Sequence, residues 1–207
     1  MAIIVNAYAG PGSGKSTLAA GVFFELKSAG VNCELVREYA KRKVWEGNTT
    51  VFKNQAYIFG KQSYEIMYTA EGVDVIITDS PILLSALYNK SEVLGEEFNE
   101  LVLKLSDSYD NMNYFINRTK EYSPAGRHQD EEGARQVDKD TIALLTAYGV
   151  EYKIVDGNRQ GMYQIVNDVL IRLGKNPLWY YDLSNATGGQ MGFIIHYSKP
   201  SQDTGED

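Results

Sequence analysis

Residues 9–17 read Ala9-Gly10-Pro11-Gly12-Ser13-Gly14-Lys15-Ser16-Thr17 and lie between the apolar run Ile3-Ile4-Val5 and a stretch of helix-forming residues. A strand that ends in a glycine-rich turn and feeds a helix aims several backbone N–H groups, and the positive end of the helix dipole, at one concave spot. Such a spot holds a polyphosphate. Lys15 is placed to reach the terminal phosphates and Ser16 to hold Mg2+. Gly10, Gly12 and Gly14 let the backbone curl round an anion without Cβ atoms in the way. Ala9 stands where the pattern usually has its first glycine, a small-residue variant. All nine residues are assigned to ATP binding. The plain alternative is a glycine-rich turn that binds nothing, and a pattern this long in the correct strand-loop-helix setting argues against it.

The chain has 207 residues, 43% of them hydrophobic and 23% charged, enough to bury one large core without covalent staples. Cys33 is the only cysteine, so no internal disulfide is possible. Its setting in Val31-Asn32-Cys33-Glu34-Leu35-Val36 reads as a buried structural thiol in a reducing compartment. No stretch approaches a membrane span, and the first residues lack the flank and cleavage pattern of a secretion signal, so a cytoplasmic location is expected. A net charge of −7 argues against broad adhesion to nucleic acid and leaves room for a local basic patch. His128 and His196 are far apart and have no partners at ligand spacing, so the expected metal is Mg2+ carried by the nucleotide rather than zinc.

Apolar runs of strand length alternate with helix-period segments along the chain, the signature of a parallel sheet covered on both faces. Strands are expected at about 2–8, 31–37, 73–78, 112–117 and 151–155. Helices are expected at 15–28, 51–69, after Pro81, and at 95–107, 134–147 and 161–173. The predicted fold is therefore α/β: a three-layer phosphate-loop NTPase of kinase-like type, with a central, mostly parallel five-stranded sheet and helices on both faces. Residues 1–173 form this domain. Residues 174–207 are a C-terminal extension in which Met191 to Tyr197 is a candidate short edge strand and the polar end is frayed.

Four further features carry chemistry. In Val75-Ile76-Ile77-Thr78-Asp79-Ser80-Pro81 an apolar strand delivers a carboxylate to the edge of the sheet at which ligands bind, where Asp79 would hold the Mg2+ shell together with Ser16. The other reading is a turn aspartate ahead of a proline. Glu38 ends the second strand and should face the same crevice, which suits a general base for an attacking hydroxyl. Asp79 is the alternative base, and a solvated helix-start charge is the plain reading of Glu38. Residues 118–133 mix glycine, proline and both charges and read as a lid, with Arg118 and Arg127 closing on the transferring phosphoryl group. On the helix at 51–69, Gln55, Phe59 and Gln62 share a stripe, and with Tyr39 they are the substrate candidates. Amides pair with the edge of a planar base and rings stack on its face. Core packing explains Phe59 equally well.

These parts together resemble the phosphate-loop nucleoside and nucleotide kinases. The segments NAYAGPGSGKSTLAAGVFFELKSAGVNCELVREYAKRKVWEG, NQAYIFGKQ and VIITDSPILLS are similar to small phage kinases placed near the thymidylate kinases, a likeness that covers about 1–173. Members of that subgroup are linked to thymine hypermodification. The resemblance implies a kinase acting on the hydroxymethyl group of 5-hydroxymethyluracil in phage DNA, with ATP and Mg2+ as cofactors and the host cytoplasm as location. Where true thymidylate kinases have an aspartate-arginine pair, this chain has Glu38-Tyr39, which speaks against a free nucleoside monophosphate as acceptor. The partners expected are ATP and either modified-base DNA or a nucleoside-type acceptor. A homodimer is left open and no membrane is involved. The alternatives are a small-molecule nucleoside, nucleotide or ribosylnicotinamide kinase, and a non-kinase phosphate-loop ATPase.

Overall fold

A computed structural model of the chain describes residues 1–48, 50–119, 131–182 and 193–196. Five strands, β1 (Ile3–Tyr8), β2 (Cys33–Val36), β3 (Val75–Thr78), β4 (Asp110–Asn117) and β5 (Lys153–Asp156), form one sheet in the order β2-β3-β1-β4-β5. Every pairing in it is parallel. The central strand β1 is buried along all six residues, as a strand covered on both faces must be. This is the architecture expected from the alternation of apolar runs.

Strand order fixes where the helices lie. The chain steps from β1 outward to β2, then reverses through β3 to β4 and β5. Since parallel crossovers are right-handed, the helix of the first step and those of the later steps cover opposite faces. Accordingly α1 (Lys15–Ser28) packs against α7 (Arg159–Arg172) on one side, while on the other α4 (Leu84–Leu87) contacts α3 (Gln55–Ala70), α5 (Gly95–Asp107) and α6 (Glu131–Ala147). The short α2 (Tyr39–Trp45) contacts α3 and buries none of its residues.

Local chemistry explains the boundaries. The helix expected at 51–69 divides into a 3-10 turn (Thr50–Lys53) and α3, because the Asn54 side chain accepts from the Tyr57 N–H at 3.0 Å and starts a new helix. Asn158 caps α7 in the same way, accepting from the Gly161 N–H. Cys33 is fully buried, and burial pushes its thiol up to about 11, in keeping with the structural role expected of it.

In the extension, the expected strand forms as β7 (Phe193–His196) but does not join the main sheet. It pairs antiparallel with β6 (Trp179–Asp182) in a separate two-stranded ribbon. Among the described residues no helix is long and apolar enough to cross a membrane.

A Cβ at Gly161, in the first turn of α7, would lie 2.0 Å from the Asp156 carbonyl oxygen. Gly161→Ala should therefore displace the start of α7 from β5 and lower stability by about 1–3 kcal/mol, despite alanine's better helix propensity. Urea unfolding followed by circular dichroism reads this directly, and an unchanged midpoint would contradict the packing described.

Candidate active site

The register of the sheet brings the candidate residues together. Asn6 of β1 and Val36 of β2 both sit opposite Thr78 of β3, so the loop after β1, the Arg37-Glu38 pair after β2 and Asp79 after β3 emerge at one carboxyl edge. Asp79 is buried and occupied on both oxygens. Its Oδ2 accepts from the Ser16 hydroxyl at 2.5 Å and its Oδ1 from the Glu38 backbone N–H at 3.1 Å. One carboxylate thus ties the start of α1 to the end of β2.

The loop itself has the form of an anion cradle. Gly14 takes φ +96° at the N-cap of α1, a conformation that favours glycine. Gly14 has no side chain with which to cap the helix, and the first-turn amides of α1 face the loop as an anion site would require. The Ser13 hydroxyl is buried with no hydrogen-bond partner among the described residues, an orphaned polar atom of the kind a bound phosphate satisfies. The loop, the uncapped helix and the Ser16–Asp79 pair fit a nucleotide triphosphate carrying Mg2+. Lys15 folds back so that its ammonium donates to the carbonyls of Ala9 at 2.6 Å and Gly10 at 3.0 Å. Burial lowers its pKa, and the charges of Glu38, Asp79 and Asp138 act against that shift.

Glu38 heads α2 without making a side-chain cap. Desolvation raises its carboxyl above the usual range, Lys15 and Lys41 oppose that shift, and Asp79 adds to it. The Tyr88 hydroxyl is pushed up to about 12, first by burial and then by Glu38 and Asp138. The residue as a whole is 44% exposed, so the shift concerns the hydroxyl end and not the ring. On the α2 side, Glu38, Asp79, Arg37, Tyr39, Lys41 and Trp45 are among the residues lining a cavity of about 550 Å3.

The proposed substrate residues separate into two groups. Tyr39 lines the cavity; its N–H donates to Gln62 Oε1 at 3.0 Å, and its hydroxyl lies 2.8 Å from that of Tyr57. Gln62 is only 4% exposed, and its Nε2 is buried without a partner among the described residues. Gln55 is buried on the same helix face. Phe59 instead packs edge-on against Phe98, ring centroids 5.4 Å apart, inside the hydrophobic core. Its ring is therefore given over to packing and does not stack on a ligand. Arg118 lies beside the loop, whereas Arg127 and most of the expected lid fall outside the described residues.

Sequence reasoning missed Asp138. This α6 residue accepts from the Gly10 N–H at 2.5 Å and from Arg118 Nε at 2.5 Å, and Arg118 also donates to the Ala134 carbonyl at 3.2 Å. The close approach requires glycine at position 10, since a Cβ there would stand 2.4 Å from the Ala134 oxygen. The only sequence signal was the i, i+4 spacing of Ala134 and Asp138, which an ordinary solvated helix face shares.

A five-stranded parallel sheet of this order, with an anion cradle after β1 and a carboxylate after β3, defines a phosphate-loop NTPase of kinase-like topology. Residues 5–161 match the family described as AAA domain, AAA_28, and the chain belongs to that family. Among solved structures it is similar to one described as the NadR protein in complex with NR, with a TM-score of 0.61 and 16% identity over 82% of this chain. The match covers 50% of that chain, so this protein spans about half of its length. The sequence matches no curated protein.

Removing the Asp138 carboxylate by Asp138→Ala leaves the Gly10 amide and the Arg118 guanidinium without their shared acceptor. Stability should fall by about 1–3 kcal/mol. Asp138→Asn should cost less, because an amide oxygen still accepts from Gly10. Equal losses for the two variants in chemical denaturation would refute this arrangement.

Proposed function

We propose that the protein is an ATP-dependent kinase that transfers the γ-phosphoryl group to an acceptor hydroxyl. The observation that carries this reading is the position of Glu38. Glu38 is among the residues lining a cavity of about 550 Å3, and its carboxyl interacts electrostatically with Lys15 and Asp79 of the phosphate side. A hydroxyl held in the cavity would lose its proton to Glu38 as its oxygen bonds to the γ-phosphorus and the bond to the ADP oxygen breaks. Ser16 and Asp79 would hold Mg2+, which when bound neutralises charge on the β- and γ-phosphates. Lys15 would leave the Ala9 and Gly10 carbonyls for the terminal phosphates. Arg118, already against Gly10, and Arg127 would act on the transferring group.

For the acceptor, the resemblance to small phage kinases supports the hydroxymethyl group of 5-hydroxymethyluracil in DNA, in which case the protein works in the host cytoplasm on a step of thymine hypermodification. Tyr39, Gln55 and the unpaired Gln62 amide would then read the base. A free nucleoside-type acceptor, ribosylnicotinamide included, is the second reading. The fold shared with the NadR protein in complex with NR and the net charge of −7 support it.

Incubation with γ-labelled ATP and, in parallel, hydroxymethyluracil DNA, ordinary DNA and free nucleosides separates these readings. Label on the modified DNA is expected. Label on free nucleosides alone would overturn the DNA acceptor, and phosphate release that ignores every acceptor would overturn the kinase. Lys15→Ala should abolish transfer.

Glu38→Gln should slow turnover by ~10²-fold or more while sparing ATP affinity. A base must be deprotonated, so the rate should fall as pH falls through the raised Glu38 value. The acid limb of kcat/KM in the wild type should therefore lie above the ordinary glutamate value of about 4.3. A limb at or below that value, or one that persists unchanged in Glu38→Gln, would remove Glu38 from the role.

A further inference from the structure

The outward face of α3 carries Tyr57, Lys61, Tyr64 and Tyr68 at i, i+4, i+7 and i+11, opposite the buried Gln55, Ile58, Phe59, Gln62 and Ile66. The rings form an ordered strip. Tyr64 and Tyr68 stack with centroids 6.2 Å apart and planes inclined by 16°, although the two residues are 54% and 65% exposed. Tyr57 meets Tyr39 of α2 edge-on at 5.9 Å. Cations sit over this pair, with Lys61 Nζ 5.8 Å from the Tyr57 ring and Lys43 Nζ 5.3 Å from the Tyr39 ring.

Charge is segregated in the same place. Residues 37–71 contain six lysines and arginines against four acids, a balance of +2 in a chain of net −7. Of those six cations, Lys43 forms an ion pair among the described residues, with Glu46 at 2.6 Å, and no ion pair involves the other five. The exposed Glu65 is the one acid within α3. Beside the tyrosines the face exposes Met67, at 50%, and no leucine, isoleucine or valine. Planar rings interleaved with cations, of which Lys61 and Arg42 have no ion pair among the described residues, suit a ligand that alternates flat bases with phosphates.

From this arrangement we infer that the α2–α3 face is a binding strip for single-stranded nucleic acid, with bases stacking on the Tyr64–Tyr68 pair and the backbone tracked by Lys61 and Arg42. The inference deepens the DNA-acceptor reading and rests on it for its purpose. Glu65 and Thr69 of α3 line the same cavity as Glu38 and Asp79, so a strand lying on the strip runs past the entrance to the proposed acceptor pocket. Nucleotides flanking the reacting base would be held by sequence-tolerant stacking while that base enters the cavity.

The test is fluorescence anisotropy of a labelled twelve-residue thymidine oligonucleotide and of the corresponding duplex, with Mg·ATP binding measured separately by calorimetry. The single strand should bind more tightly than the duplex, whose bases are already stacked on one another. Y64A/Y68A should weaken single-strand binding by at least ~10-fold, and Y64F/Y68F, which keeps the rings, should retain it. K61A should reduce the slope of log affinity against log salt by about 0.7. None of these residues lies in the phosphate site, so Mg·ATP affinity should not change. Wild-type protein that binds Mg·ATP but not the oligonucleotide, or Y64A/Y68A that binds it undiminished, would overturn the strip and leave the kinase reading intact. Oligonucleotide binding that depends on the tyrosines, with no Mg·ATP binding, would support the strip and overturn the kinase. A concentration-dependent dimer lost in Y64A/Y68A while oligonucleotide binding persists would assign the face to a protein partner instead.

Discussion

The Asp79 carboxylate is the tie on which the site depends. Its two oxygens hold groups from different crossovers, the Ser16 hydroxyl at the start of α1 and the Glu38 amide at the start of α2. Neither partner has a position of its own without the sheet. The parallel register places Thr78 opposite both Asn6 and Val36, so the three strand ends arrive level, and Asp79 then fixes loops that would otherwise float. Two charge-assisted hydrogen bonds in a buried setting are each stronger than a neutral bond in water. The geometry of the phosphate side is thereby transmitted to the residue proposed as base.

Electrostatics around Lys15 follow from the same crowding. A buried ammonium is destabilised by desolvation, and the three carboxylates of Glu38, Asp79 and Asp138 offset that cost. The Ala9 and Gly10 carbonyls accept its protons meanwhile. Lys15 is thereby pre-positioned, and its partners in this state are groups of the loop itself. A polyphosphate entering the cradle would exchange weak dipolar acceptors for anionic oxygens, so the lysine need only shift between acceptors along a short path. The Asp138 contact works alongside this. By engaging Gly10 and Arg118 together it joins the phosphate loop to α6, the helix that follows the expected lid.

Much of this was legible in the sequence because each signal had a short-range cause. The strand-loop-helix at 3–28 and the apolar run ending in Asp79 each declare themselves within a dozen residues, and a parallel sheet converts such local signals into one shared edge. The cap at Asn54, which divides the helix expected at 51–69, was readable in principle from an asparagine ahead of an apolar-periodic run. Asp138 was not, because it is chosen by a contact 128 residues away in sequence, and nothing in its own neighbourhood distinguishes it from a solvated carboxylate. The stripe of Gln55, Phe59 and Gln62 is a different case. It specifies a common face, and in the structure all three are buried on it, Phe59 edge-on against Phe98, which a helical spacing alone does not distinguish from a face turned to a ligand.

The acceptor side is built differently from the phosphate side, and the contrast bears on how the two would work. The phosphate cradle is anchored in the core, whereas α2 buries no residue and is held largely by the Tyr39–Gln62 and Tyr39–Tyr57 hydrogen bonds. The residues of α2 are at most half-buried, so displacing it forfeits less apolar contact than displacing a core helix. On the reading proposed above, the phosphate geometry anchored in the core is joined through Asp79 and the Glu38 amide to a wall, lined by Tyr39 and the 77% exposed Trp45, that packs more loosely.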